Sequence, residues 1–144
     1  MKKIIGITAI LIALILNACS PNPEKEKFSK LNVYSVHDLQ LKSGVNEKEF
    51  ETFVMNEIAP LYRQMKGQDL FLTKGYVGNR MGQYAIFITF PTVKERNKIY
   101  PLSGDGFSDE FKKVMKGKES IWAKFNSMAE GFDGMHNTDY VRVN

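Results

Sequence analysis

The segment from Leu31 to Lys42 has the two-residue period of a β-strand, which places alternate side chains on opposite faces. One predicted face carries Val33, Ser35, His37, Leu39 and Leu41, and the other carries Tyr34, Val36, Asp38, Gln40 and Lys42. Ser35 and His37 therefore share a face with three aliphatic residues. Ser43 and Gly44 are expected to end the strand.

A helix is predicted next, because Asn46 with Glu49 three residues later is typical of a helix cap with a reciprocal carboxylate. Apolar residues then recur at helical spacing and form one stripe: Phe50, Phe53, Val54, Ile58, Leu61 and Met65. Pro60 lies inside this helix and should bend or loosen the turn at Asn56, because proline lacks a backbone N–H. Gly67 is expected to close the helix.

Two further strands are predicted at Asp69–Gly78 and Tyr84–Phe90, the second composed of strong β-formers. The glycine-containing turn between them spans residues 78–82. Because this connection is short, the two strands are expected to pair as an antiparallel hairpin.

The last third of the chain predicts two more helical regions and a strand. Thr92 with Glu95 forms a second capping box, and Ser108 can cap the later helix. The apolar side of that helix comprises Phe111, Val114, Met115, Trp122 and Phe125. Gly117 is expected to interrupt it, and Asp139–Val143 reads as a short final strand.

The predicted element order is β-α-β-β-α-β. Split βαβ units of this kind form a ferredoxin-like α+β fold, with a four-stranded antiparallel sheet and both helices on one face. This domain is expected to span residues 31–144.

The amino-terminal segment predicts export. Two lysines precede an uncharged apolar run from Ile4 to Leu16, which is shorter than the roughly 20 residues that span a bilayer. Cys19, the only cysteine, follows Leu16-Asn17-Ala18 as in a bacterial lipobox. We therefore expect residues 1–18 to be a lipoprotein signal peptide, Cys19 to carry the lipid, and residues 19–30 to form a flexible tether. The alternative is an ordinary secretory signal with an incidental cysteine.

Charge limits the possible partners. The formal net charge is +4, and loss of Lys2 and Lys3 with the signal peptide would lower it by two. A weakly basic exported protein with dispersed charges is not expected to bind nucleic acid. The expected location is a bacterial membrane, with the domain facing the periplasm or the cell surface.

Several short motifs resemble the dimeric α/β-barrel group of ferredoxin-like proteins. They are Leu41-Lys42-Ser43-Gly44, Phe50, Ala59-Pro60-Leu61, Gly82-Gln83-Tyr84 and Thr89-Phe90-Pro91. The resemblance implies a homodimer in which the uncovered sheet faces meet and each subunit has a cleft. It also implies candidate activities, since the group includes cofactor-independent monooxygenases and haem-degrading enzymes.

His37 is the best single candidate for a site, because a strand histidine can bind an acidic ligand or move a proton near neutral pH. Ser35, Tyr84 and Trp122 are further candidates for a ligand pocket. The resemblance implies that haem-degrading members use an Asn near the end of the first strand, a Trp, and a His on the second long helix. His37 falls near the Asn position, but no His lies beside Trp122.

Neither His37 nor His136 has metal-ligand neighbours at usable spacing, so no metal or other cofactor is expected. Asp105, Asp109 and Glu110 lack EF-hand spacing, and no catalytic set can be assembled. The sequence favours a lipoprotein that binds a small apolar or aromatic molecule or acts as an interaction module. The alternative is a cofactor-independent monooxygenase or a haem-handling enzyme.

Overall fold

The computed structural model describes residues 32–102, 106–132 and 137–143. The first half contains strand β1 (Val33–Leu41), helix α1 (Glu47–Phe53), a π-helical segment (Val54–Ile58), helix α2 (Ala59–Arg63), and strands β2 (Asp69–Lys74) and β3 (Tyr84–Phe90). The second half contains helices α3 (Val93–Ile99), α4 (Asp109–Met115) and α5 (Glu119–Met128), and strands β4 (Ala129–Glu130) and β5 (Asn137–Val141).

The sheet is antiparallel, with β1 in its centre between β3 and the last two strands. β2 and β3 form the predicted hairpin. The fourth position of the sheet is shared: β4 pairs with Gln40 and Leu41, whereas β5 pairs with the first five residues of β1. This is the predicted ferredoxin-like arrangement, except that its fourth strand is divided in two.

The core lies between the helices and one face of the sheet. Along β1, Val33, Ser35, His37 and Leu39 are buried, as the alternation predicted. The predicted helical stripe is buried as well, and Phe50, Val54, Ile58 and Met65 are fully enclosed. Residues on the other sheet face, such as Val36 and Phe87, are only half-buried.

The first helical region shows how its sequence controls its shape. The Asn46 side chain accepts a hydrogen bond from the Glu49 backbone N–H at 3.0 Å, so the predicted cap is confirmed. The π-helical segment precedes Pro60, and the Ala59 N–H bonds to the Val54 carbonyl five residues back. The proline was predicted to loosen the turn at Asn56, and the π geometry is how the backbone avoids the clash.

The later helices also follow their predicted signals. Thr92 and Ser108 cap α3 and α4, and Gly117, with φ +73°, separates α4 from α5. The bounds of three strands differ from prediction. β1 spans Val33–Leu41 rather than residues 31–42. β2 ends at Lys74, because Gly75 turns into an isolated bridge with Met81. β5 begins at Asn137 and ends at Val141, two residues earlier at each end than predicted, because it pairs in register with Val33–His37 of β1.

The predicted signal peptide, Cys19 and the whole of the predicted tether (19–30) lie outside the described residues. Within the described ranges, no helix is both long enough and apolar enough to cross a membrane.

Candidate functional site

A cavity of about 520 Å³ lies between the covered face of the sheet and the helices of the second half. Its described lining is mostly aromatic, with a few polar groups at the sheet. The aromatic residues of the lining are His37, Tyr62, Tyr100, Phe107, Phe111, Trp122 and Phe132. Apolar cavities with a few convergent polar groups, in the range of about 300–1,000 Å³, are the usual form of small-molecule sites.

Four side chains on two paired strands form a polar patch at the sheet side of the cavity: Ser35, His37, Asn137 and Asp139. The β1–β5 register places His37 opposite Asn137 and Ser35 opposite Asp139. Directly paired residues in a sheet point to the same face. The polar patch is therefore a consequence of strand register, and it occupies a face that is otherwise apolar.

The polar patch is hydrogen-bonded internally. Asn137 Nδ2 donates to Ser35 Oγ at 3.2 Å and to Asp139 Oδ1 at 3.3 Å. Ser35 Oγ lies 3.3 Å from His37 Nε2, and serine can donate to a neutral ring nitrogen or accept from a protonated one. Ser35 is 5% exposed and His37 is 9% exposed. Buried polar groups need such partners, because a lost hydrogen bond there is costly.

Arg96 of α3 connects the polar patch to the helical layer. Its Nε lies 2.7 Å from Asp139 Oδ2, and the two side chains are only 17% and 28% exposed. Its Nη1 donates to the Tyr100 carbonyl oxygen at 2.7 Å, and the guanidinium lies 5.7 Å from the centre of the Tyr100 ring. The guanidinium is therefore fixed beside the cavity with its charge balanced by Asp139.

The aromatic residues of the lining other than His37 form an aromatic wall, which includes two stacked pairs. Trp122 and Phe132 have ring centroids 5.8 Å apart and planes inclined by 17°. Phe107 and Phe111 are 4.3 Å apart with planes inclined by 22°. The His37 ring lies 4.5 Å from Phe132, so the polar patch and the aromatic wall meet at these two residues.

Gly131 allows Phe132 to reach this position. It directly follows β4 and has a φ of +98°, a backbone conformation that residues with a Cβ rarely adopt. A Cβ at this position would also overlap the carbonyl oxygen of Asp38 on β1. The close backbone approach directs the chain from the sheet edge over the cavity, where Phe132 contacts His37.

Two tyrosines at the cavity are held in their neutral form. Burial raises the pKa of the Tyr62 hydroxyl well above its usual value, and the neighbouring Tyr100 raises it further through charge repulsion and a hydrogen bond. Burial also raises the pKa of Tyr100, although the hydrogen bond with Tyr62 and the charge of Arg96 oppose this shift. Both phenols can therefore act as neutral hydrogen-bonding groups at physiological pH.

Three of the four predicted ligand-binding residues come together, since Ser35, His37 and Trp122 all line this cavity. Tyr84 lies elsewhere: it pairs with Leu39, is 3% exposed, and donates its hydroxyl to Glu51 Oε1 at 2.6 Å. Burial followed by this hydrogen bond raises the pKa of Tyr84. Tyr84 therefore does not line the cavity.

Sequence reasoning missed Arg96, Asn137, Asp139 and Phe132 as site residues. One signal was available, because Asn137, Asp139 and Val141 repeat the period of two that singled out Ser35 and His37. The partnership with Arg96 had no such signal, because it depends on how α3 packs against the edge strand.

Within residues 32–102, 106–132 and 137–143, no group of three or more His, Cys, Asp or Glu side chains could hold a metal ion. Cys19, Asp105 and His136 lie outside these ranges.

The uncovered face of the sheet has a different character. Phe71 and Phe87 stack on it, with centroids 5.2 Å apart and planes inclined by 10°. A shallow groove of about 600 Å³ on this face is lined in part by Tyr34, Val36 and Tyr140, the last of which is 57% exposed. The groove also contains the Asp38–Arg80 ion pair, so this face combines exposed aromatic residues with charged ones.

No known protein family and no curated protein sequence matches the chain. Among solved structures, it is similar to a dimeric protein of unknown function and ferredoxin-like fold from Bacteroides fragilis, with 13% sequence identity and a TM-score of 0.43. The match covers 77% of this chain and 96% of that chain.

Proposed function

We propose that the cavity between the sheet and helices α3–α5 binds a small, flat, largely apolar molecule that carries one polar group. The observation that supports this most strongly is the contact between the aromatic wall and the polar patch at His37 and Phe132. Flat rings can stack on the wall, and a polar substituent can reach the hydrogen-bonding groups of the sheet.

The two buried members of the polar patch, Ser35 and His37, support a binding role over a purely structural one. Buried polar side chains contribute less to stability than apolar side chains of similar volume would. Sequences depart from apolar patterning in this way chiefly at functional sites. The position of Ser35 and His37 on the wall of a cavity is consistent with such a site.

Energy transfer from Trp122 tests the proposal, because this is the only tryptophan in the chain. The probe is N-phenyl-1-naphthylamine, an uncharged aromatic molecule that absorbs where tryptophan emits. Titration of the purified full-length protein should give saturable transfer with one site per chain. Transfer that never saturates would contradict the proposal.

Two variants separate the cavity from the general surface. Phe111→Ala removes a cavity ring and should weaken probe binding about tenfold, the effect of one lost aromatic contact. Tyr76→Ala is the matched control, because its ring is 94% exposed on the hairpin and should not affect binding. Equal weakening of probe binding by the two variants would contradict binding of the probe in the cavity.

The presence of His37 and Trp122 in one cavity also favours the second candidate, a cofactor-independent monooxygenase or haem-handling enzyme. The residues fit this only in part, because α5 carries no histidine beside Trp122. Haem titration distinguishes the candidates. A Soret shift that is lost in His37→Ala would favour haem handling, and an unchanged spectrum would favour the binding module.

We further propose that the uncovered sheet face joins a second copy of the chain. Its aromatic residues would be costly to leave in water, and a two-fold pairing covers the same surface on both copies. Light scattering should give the mass of a dimer, and Phe87→Glu should give that of a monomer. Phe107→Glu, which places the same charge on the helical side, should remain dimeric. A monomeric native protein would refute this proposal.

We also propose that the protein is an exported bacterial lipoprotein, anchored to the membrane through Cys19. The order of basic start, short apolar run and cysteine supports this location. Intact mass of protein from its native host should show cleavage before Cys19 and added acyl chains. An unmodified sulfur or an uncleaved leader would overturn the proposal.

A further inference from the structure

The Arg96–Asp139 ion pair bears on which molecule the cavity accepts. Of the described residues that line the cavity, Arg96 is the one with a permanent charge. Its carboxylate partner, Asp139, belongs to the polar patch and accepts a hydrogen bond from the amide of Asn137. Both charges are therefore close to the polar end of any molecule bound against Ser35 and His37.

Both side chains of the ion pair already have partners within the protein. Asp139 balances the charge of Arg96 at 2.7 Å, and the Tyr100 carbonyl accepts a second guanidinium hydrogen bond. A ligand carboxylate placed here would have to displace Asp139 or lie close to it. Either outcome separates Asp139 from Arg96 or places two carboxylates side by side, and both arrangements disfavour the binding of an anion.

We propose, on the basis of the proposed function, that the Arg96–Asp139 pair makes the cavity selective for an uncharged aromatic molecule with a carbonyl or hydroxyl group. Neutral oxygen acceptors can share the donors of the site without displacing the carboxylate. Asp139 is thus a specificity-determining residue, because it excludes anions that Arg96 alone would attract.

Two isosteric probes test this selectivity by calorimetry at neutral pH. 2-Naphthamide and 2-naphthoate have the same rings and nearly the same shape, but only the second is charged. The full-length protein should bind the amide at least about tenfold more tightly, as expected when one charged group is left without a partner. Equal affinities, or tighter binding of the naphthoate, would overturn the inference.

Asp139→Asn should reverse the preference. This substitution keeps the shape of the side chain but removes the charge that balances Arg96. Binding of naphthoate should improve at least about tenfold, while binding of naphthamide should change little. Asp69→Asn is the matched control, since it disrupts the more exposed Arg63–Asp69 pair and should alter neither affinity.

The outcomes distinguish the two proposals. If neither probe binds the native protein, the proposed function fails and the inference fails with it. If the amide binds but the affinity for naphthoate does not rise in Asp139→Asn, only the inference fails. Should Asp139→Asn not fold, Arg96→Gln provides the second test. It leaves the carboxylate unbalanced and should widen the preference for the amide, and a narrower preference would contradict the inference.

Discussion

Removal of the Phe132 ring should separate the binding function of the cavity from the stability of the fold. This side chain contacts four rings, at centroid distances between 4.5 Å to His37 and 6.3 Å to Tyr62. Its contacts with Trp122 and Phe125 are 5.8 and 5.4 Å. Phe132→Ala therefore removes the ring that joins the aromatic wall to the polar patch.

The size of the effect follows from the partial burial of Phe132. A fully buried Phe→Ala change costs about 3–5 kcal/mol. Phe132 borders an existing cavity and is only half-buried, so we expect a loss of about 2–3 kcal/mol in the free energy of unfolding. Loss of its aromatic contacts should weaken binding of N-phenyl-1-naphthylamine about tenfold or more.

Phe53→Ala is the control. Phe53 is 7% exposed in the helical stripe and lies outside the cavity, so its loss should cost about 3–5 kcal/mol. Urea unfolding at one protein concentration measures stability, and energy transfer from Trp122 measures binding. We expect Phe53→Ala to be the less stable variant and to keep its affinity. Unchanged binding in Phe132→Ala, or equal loss of binding in both variants, would refute the assignment of the cavity.

Three further predictions concern the fold. Gly131→Ala should lower the free energy of unfolding in urea by about 3 kcal/mol or more. Gly44→Ala should lower it by only about 1 kcal/mol, because Gly44 also has a positive φ but has open space around it. Similar losses in the two variants would contradict the close approach of Gly131 to Asp38. Because the folded pKa values of Tyr62 and Tyr100 exceed 10.0, their contribution to stability should be constant below about pH 9 and be lost above pH 10. Replacing both by Phe should make the alkaline decline in stability shallower. Asn46→Ala should cost about 1 kcal/mol in thermal unfolding, and no change would mean that the cap contributes nothing.

The sequence was sufficient for the parts of the fold that depend on local chemistry. Side-chain caps at Asn46, Thr92 and Ser108 mark helix starts, because their oxygens satisfy backbone N–H groups within three residues. The β1 alternation likewise places Ser35 and His37 on the covered face, since the period of a strand is fixed by its backbone.

The site was only partly predictable, because its composition depends on strand register and helix packing. Tyr84 was predicted to line the ligand pocket, and only the β1–β3 register shows that it pairs with Leu39 while Ile86 pairs with His37. The Arg96–Asp139 pair joins a helix to a distant strand, and no local pattern indicates such a contact. The sequence thus predicts which face a residue occupies but not its neighbours there.

A crystal structure of the full-length protein grown with 2-naphthamide tests the central claim most directly. We predict that the naphthalene rings lie in the cavity against Trp122 and Phe111, with the amide within hydrogen-bonding distance of the polar patch. Density for the ligand only on the uncovered sheet face, or an empty cavity at a saturating concentration of ligand, would contradict the account.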